Sequence, residues 1–236
     1  MGRKNYKLSK INKMEESLIY KNFTYENVEY TYFGGEDTHQ WKQTPWYEGE
    51  FLFYLKSLDL KGVYIDVGTN LGNHSLFFAN HCPSTMVYSF EPTPWSYNTT
   101  SKNLKLNTKK DFKTYNIALW DEPTTLSFSK FSHFSNTGHS FVSADGDLKV
   151  NADTLDNIIP ETDKVVFIKI DVEGSEPQVI KGGINLIQTY KPLISCEAST
   201  SEEFEKINDI LLPLGYTKPT RRFNATPSYF WFPKTK

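Results

Sequence analysis

The chain has 236 residues, a formal net charge of −2, and 38% hydrophobic and 15% aromatic side chains. That length and apolar content suit one domain with its own core and exclude a largely disordered chain. The weak negative balance excludes a dedicated nucleic-acid binder, which concentrates positive charge.

Cys82 and Cys196 lie far apart in the sequence, the second inside an apolar run, and read as reduced thiols of a cytoplasmic protein. No run of residues approaches the roughly 18 apolar positions of a membrane span. The opening "MGRKNYKLSKINKMEES" is basic and polar, so neither a signal segment nor a membrane partner is expected.

Residues 1 to 45 read as an N-terminal extension in which "FTYENVEYTYF" alternates like a strand or hairpin and ends at Gly34-Gly35. Residues 46 to 60, "WYEGEFLFYLKSLDL", have helical spacing and stop before Gly62. A strand–helix rhythm follows. "GVYIDVG" is a strand, 73–81 a helix, "TMVYSFEP" a strand, 94–106 a helix and "FKTYNIAL" a strand. Residues 120 to 155 interrupt the rhythm with an inserted hairpin and a polar loop, "FSHFSNTGHSFVSADGD". The rhythm resumes with "KVVFIKIDVEG", a helix over 176–188, "PLISCEA", a helix over 201–213, "GYTKPT" and "SYFWFP". Repeated βαβ units predict an α/β fold with a mostly parallel sheet, and the closing strand pair predicts an antiparallel last strand. Residues 46–236 read as a single domain carrying the insertion.

Four strand ends carry chemistry. In "YIDVGTNLGNHSLFF" a buried strand turns sharply into a helix through Asp66, Gly68 and Gly72, spaced D-x-G-x-x-x-G. Glycines there leave room for a ligand beside the backbone, the amides opening the helix favour an anionic group, and Asn70 and Asn73 offer both donors and acceptors. The spacing departs from the dinucleotide pattern G-x-G-x-x-G, although a nicotinamide-dependent oxidoreductase stays open, as does a non-catalytic binding module. Glu91 ends the next strand, 25 residues beyond Asp66, where a carboxylate accepts the two ribose hydroxyls of a nucleoside. The third end, "FIKIDVEGSEP", brings Asp171, Glu173 and Glu176 to the same edge, and Glu197 ends the following strand. Each has a plainer reading as a helix cap.

The segments "YIDVGTNLGNHSLFF", "VYSFEPTPWSYNTTSKNLKLN", "YNIALWDE", "NADTLDNII" and "FIKIDVEGSEPQVIKGG", in that order, resemble the FkbM family of S-adenosylmethionine-dependent methyltransferases over residues 46 to 200. The resemblance implies a class I, Rossmann-like methyltransferase fold with a seven-stranded sheet, and O-methylation of a sugar, a glycan or a related metabolite. In the family the loop often reads "GAN" where this chain has "GTN", and Asn73-His74 replaces a frequent aromatic. The implied cofactor contacts are Asp66, Gly68, Asn70, Gly72 and Asn73 at the methionyl end, Glu91 at the ribose, Asn116 and Ala118 at the adenine, and Asp171 near the amino group or the transferred methyl. A hydroxyl acceptor needs a base or a metal. His139, His133, Asp171 and Glu173 are the candidate bases, and Asp171 with Glu197 the candidate ligands for Mg²⁺. Trp41, Trp46 and Tyr47 are candidates to stack on a sugar ring, and Arg221 and Arg222 to meet an acidic group on it.

Overall fold

The computed structural model describes residues 19–34, 45–128, 142 and 146–234. Two antiparallel strands, β1 (Ile19–Tyr25) and β2 (Val28–Gly34), open it. They turn through Glu26 and Asn27, both at positive φ (49° and 62°), as the handedness of a two-residue hairpin turn requires. Helix α1 (Gly49–Ser57) leads to β3 (Gly62–Val67), then α2 (Asn73–His81), β4 (Ser84–Phe90), α3 (Pro94–Asn107) and β5 (Phe112–Tyr115). Next come β6 (Ala118–Leu119), β7 (Thr124–Phe128), β8 (Leu148–Asp153) and α4 (Leu155–Ile158). The chain finishes with β9 (Val165–Ile170), α5 (Glu176–Lys181), α6 (Ile184–Tyr190), β10 (Leu193–Glu197), α7 (Ser201–Leu211), β11 (Arg222–Phe223) and β12 (Ser228–Trp231).

Seven strands form the main sheet in the order β11-β12-β10-β9-β3-β4-β5. From β10 to β5 all neighbours are parallel, and β12 runs antiparallel to β10 and β11. The expected α/β architecture with an antiparallel last strand is therefore present. Every residue of β3 is buried, as a central parallel strand covered on both faces must be. Its Val63, Ile65 and Val67 join a core with α5, α6 and α7, while Tyr64 faces the opposite core with α1, α2 and α3. Chain order reverses beside β3, because β4 and β5 extend the sheet on one side and β9 and β10 on the other. Such a switch point leaves a crevice at the C-terminal strand ends.

The β1–β2 hairpin, inside the stretch read as an N-terminal extension, contributes Tyr30 and Tyr32 to the second core beside Trp46. Two asparagines of α3 hold it in place. Asn107 accepts from Thr31 N at 2.7 Å and donates to Thr31 O at 3.0 Å, and Asn103 makes the same pair with Phe33 at 2.8 and 3.0 Å. These side chains complete the exposed edge of β2 as a neighbouring strand would. Among the described residues no helix is long and apolar enough to cross a membrane.

Three expectations need correction. "FKTYNIAL" is not one strand: β5 ends at Tyr115, Asn116 Nδ2 braces the turn by donating to Glu91 O and Pro92 O, and β6 leaves for a separate sheet of order β6-β8-β7. The helix expected over 176–188 is two, because Asp156 takes the N–H groups of Asn185 and Leu186 and so starts α6 afresh. "GYTKPT" forms no strand, only a bridge between Tyr216 and Pro233; Pro219 has no N–H to offer a ladder, and pairing resumes at Arg222.

Candidate active site

The alternation that sets Tyr64 against Phe167, with tilted rings whose centroids are 5.4 Å apart, places Asp66 beside Lys169 two residues further along the paired strands. An aromatic layer thus gives way to a charged one just below the strand tips. Both charged residues are buried, Asp66 at 0% and Lys169 at 4% exposure. Lys169 Nζ lies 3.5 Å from Asp66 Oδ1 and 3.1 Å from Asp171 Oδ2. Asp66 also accepts from Ser75 Oγ of α2 at 2.6 Å. Burial pulls the Lys169 ammonium down, but Asp171, Asp66 and Glu48 outweigh it and hold the group above its ordinary value. Lys169 interrupts an apolar run in the sequence, which is the signal by which it stands out.

The loop after β3 crosses the exit of β9. A Cβ on Gly68, which sits at φ +77°, would lie 1.9 Å from the carbonyl oxygen of Asp171, so this glycine permits two loops to touch. Gly72, at φ +82°, precedes α2 with Thr100 of α3 close to where its Cβ would be. Between them Asn70, at φ 50°, donates its N–H to Glu91 Oε2 at 2.9 Å and accepts from Thr100 Oγ1 at 2.7 Å. Glu91 Oε1 accepts from Thr93 N at 2.9 Å and Thr93 Oγ1 at 2.6 Å. Burial lifts the Glu91 carboxyl to about 7 against the pull of these three donors. With one donor on Oε2, that oxygen keeps acceptor capacity, which fits the ribose of a nucleoside cofactor.

Asp171 and Glu197, at the ends of β9 and β10, share a hydrogen bond. Burial disfavours the Asp171 charge, but the Lys169 ammonium and the bond from Glu197 hold its carboxyl below the ordinary range. Glu197 is pushed up to about 9, first by burial and then by the charge of Asp171. The proton between them therefore resides on Glu197, which also accepts from Ser199 Oγ. Behind them Glu176 Oε1 accepts from Val172 N at 2.9 Å and Gly174 N at 3.4 Å, shaping the loop that carries Glu173. Glu48, Tyr47 and His74 complete the surroundings: His74 Nε2 is 3.0 Å from Glu48 Oε2, and the Tyr47 phenol is raised by burial, then by Glu48, Asp171 and Glu197.

Several expected site residues take other places. Asn73, assigned to the methionyl end, is 2% exposed and clamps the backbone of Tyr47, accepting from its N–H at 3.2 Å and donating to its carbonyl at 3.1 Å. Of the two candidate Mg²⁺ ligands, Asp171 already pairs with the Lys169 ammonium at 3.1 Å. Among the described residues no group of three or more His, Cys, Asp or Glu is arranged to hold a metal. Ala118 is buried in the small sheet and pairs with Ala152. Trp46 belongs to the core, and Arg221 pairs with Glu50 at 2.9 Å. His139, His133 and Trp41 lie outside the described residues.

A doubly wound sheet with its antiparallel final strand, a glycine-turned loop at the switch point and a buried carboxylate on the adjoining strand tip together define a Rossmann-like fold. Residues 66–218 match the methyltransferase FkbM domain, and the chain belongs to that family. It is similar to methyltransferase 1 of Beauveria bassiana, with 23% identity over 144 residues, covering 50% of this chain and 57% of the relative. The hexuronic acid methyltransferase AglP of Haloferax volcanii is 26% identical over 142 residues, 59% of this chain and 57% of its own. The chain thus spans less than two thirds of these curated relatives. The crystal structure of methyltransferase FkbM from Methylobacillus flagellatus KT superposes with a TM-score of 0.57 at 17% identity, over 73% of this chain and 44% of that one, and shares the fold.

Proposed function

We propose that the chain is an S-adenosylmethionine-dependent O-methyltransferase whose acceptor is a hydroxyl of a sugar, a glycan or a related metabolite, working in the cytoplasm. The observation that carries this reading is the bond from Asn70 N to Glu91, which joins the glycine loop and the ribose-type carboxylate in one pocket edge. Family membership supports methyl transfer over the oxidoreductase alternative and over a binding module, and a relative named for hexuronic acid supports a sugar.

In this reading Glu91 takes the ribose hydroxyls on Oε2, Asn116 at the end of β5 borders the adenine, and the loop of Gly68, Asn70 and Gly72, with Asp66 behind it, borders the methionyl end. The cofactor supplies a methyl group on a sulfonium, an electrophile that chiefly needs an aligned acceptor. Asp171, kept ionised by Lys169 at 3.1 Å, would take the proton of the acceptor hydroxyl, for which the bound cofactor would supply the methyl group. Glu173, on the loop held by Glu176, would orient that hydroxyl.

Mass spectrometry of glycans and small glycosides from cells with and without the gene tests the reading. A species heavier by one methylene, present only with the gene, is expected. Identical profiles, together with no label transferred from methyl-labelled S-adenosylmethionine to either extract, would overturn it.

A further inference from the structure

We infer that Glu48 is a cofactor-binding residue, whose carboxylate receives the α-ammonium on the methionyl tail of S-adenosylmethionine. The inference rests on the methyltransferase reading and names a contact for the charged end of that tail.

Three consecutive residues of α2 fix where Glu48 lies. Asn73 accepts from Tyr47 N at 3.2 Å and donates to Tyr47 O at 3.1 Å. His74 Nε2 is 3.0 Å from Glu48 Oε2, and Ser75 Oγ donates to Asp66 at 2.6 Å. The segment that enters α1 is thus strapped to the first turn of α2, which opens directly from the loop of Gly68 and Gly72 and stands against β3.

Local structure does not account for a glutamate at this position. Glu48 sits at φ 57° and ψ 42°, a left-handed conformation that glycine or asparagine adopts at less cost. It stands at the N-cap of α1, where a serine or aspartate would bond a backbone N–H, yet its side chain makes no such bond. The carboxylate turns to α2 instead, with its side chain 10% exposed and Oε2 on His74. Among the described residues no hydrogen bond reaches Oε1. A largely covered carboxylate with one oxygen unused suits a cation that arrives with the ligand. The methionyl tail brings one, an ammonium with three N–H donors. Gly72 has no side chain to cap α2, so the N–H groups of the same turn suit the carboxylate of the same tail. With the ammonium on Glu48, Asp171 is left for the acceptor hydroxyl.

Calorimetric titration of three ligands into the full chain tests this: S-adenosylhomocysteine, its deaminated analogue, which keeps the chain and carboxylate, and 5′-methylthioadenosine, which lacks the tail. Wild type should bind S-adenosylhomocysteine about 10–100-fold more tightly than the deaminated analogue, the range of hydrogen bonds to a charged group. Two variants remove the carboxylate differently: Glu48→Gln keeps the size of the side chain, and Glu48→Gly suits the backbone at positive φ. Both should lose that preference while binding 5′-methylthioadenosine as wild type does, which shows that the fold survives. Equal affinity of wild type for S-adenosylhomocysteine and the deaminated analogue, a preference retained in the variants, or an equal loss of all three ligands in both would each overturn the inference. The last result would mean that the carboxylate only braces His74. A wild type that binds none of the three would instead overturn the methyltransferase reading beneath it.

Discussion

Asn70 N donates to Glu91 Oε2 over 2.9 Å, so the loop leaving β3 is tied to the tip of β4 by a backbone group rather than by a side chain. The same loop meets β9 through Gly68, and through Asn70 O it meets Thr100 of α3. Three neighbours of β3 are thereby fixed at one place, and the pocket edge inherits the rigidity of the sheet.

Gly68→Ala should destabilise the protein by about 2–4 kcal/mol, because positive φ and a backbone oxygen 1.9 Å from the new Cβ act together. Gly72→Ala, facing the side chain and Cα of Thr100 at 3.0 Å or more, should cost about 1 kcal/mol. Urea denaturation of both variants checks the order. Equal stabilities would show that the contact with Asp171 is not what selects glycine at 68.

Glu176 predicts a pH dependence. Its carboxyl, 2% exposed, is lifted from 4.5 to about 7, chiefly by burial. The folded state then binds the proton more tightly than the unfolded chain, so stability is highest below about pH 4.5 for this group and falls as pH rises towards 7. Glu176→Gln keeps both N–H bonds, since they converge on Oε1, and removes the titration. The variant should match wild type near pH 4 and exceed it by on the order of 2–3 kcal/mol at pH 8. A constant difference across a denaturation series at several pH values would contradict the assignment.

Lys169→Met leaves Asp66 and Asp171 without their shared cation and should cost about 3–5 kcal/mol. Asp66→Asn in the same chain should recover part of that loss, giving a coupling above about 1 kcal/mol in a double-mutant cycle. Additive losses would mean that the two side chains do not act as a pair.

Asn103 and Asn107 predict a local effect. Amide hydrogen exchange should rise about tenfold or more at Thr31 in Asn107→Ala and at Phe33 in Asn103→Ala, each site following its own partner. Exchange rising equally at both positions in both variants would indicate global loosening instead.

The parts of this molecule that depend on local pattern were legible in the sequence. Helix α2 occupies residues 73–81 as its spacing demands, and the antiparallel last strand was visible in the apolar run ending at Trp231. Asp66, Glu91, Asp171 and Glu197 could be placed at one edge because parallel strands put their C-terminal ends together. What long-range contact decides was not legible. Nothing local in "GGINLIQ" announces that Asp156 restarts the helix there, and nothing in "GNHSLFF" announces that Asn73 clamps Tyr47. Gly68 looked like space for a ligand and proves to be space for the Asp171 carbonyl, a distinction available only once β3 and β9 lie side by side. Lys169 was visible but not its role, since one lysine in an apolar strand gains meaning from the two carboxylates that neighbouring positions bring to it.

Isothermal titration of S-adenosylmethionine into wild type and Glu91→Gln tests the central claim most directly. The wild type should bind, and Glu91→Gln, which keeps the size of the side chain but loses its charge, should bind about 10–100-fold more weakly, the range of hydrogen bonds to a charged acceptor. Absence of binding by the wild type, or equal affinity in the variant, would contradict the account.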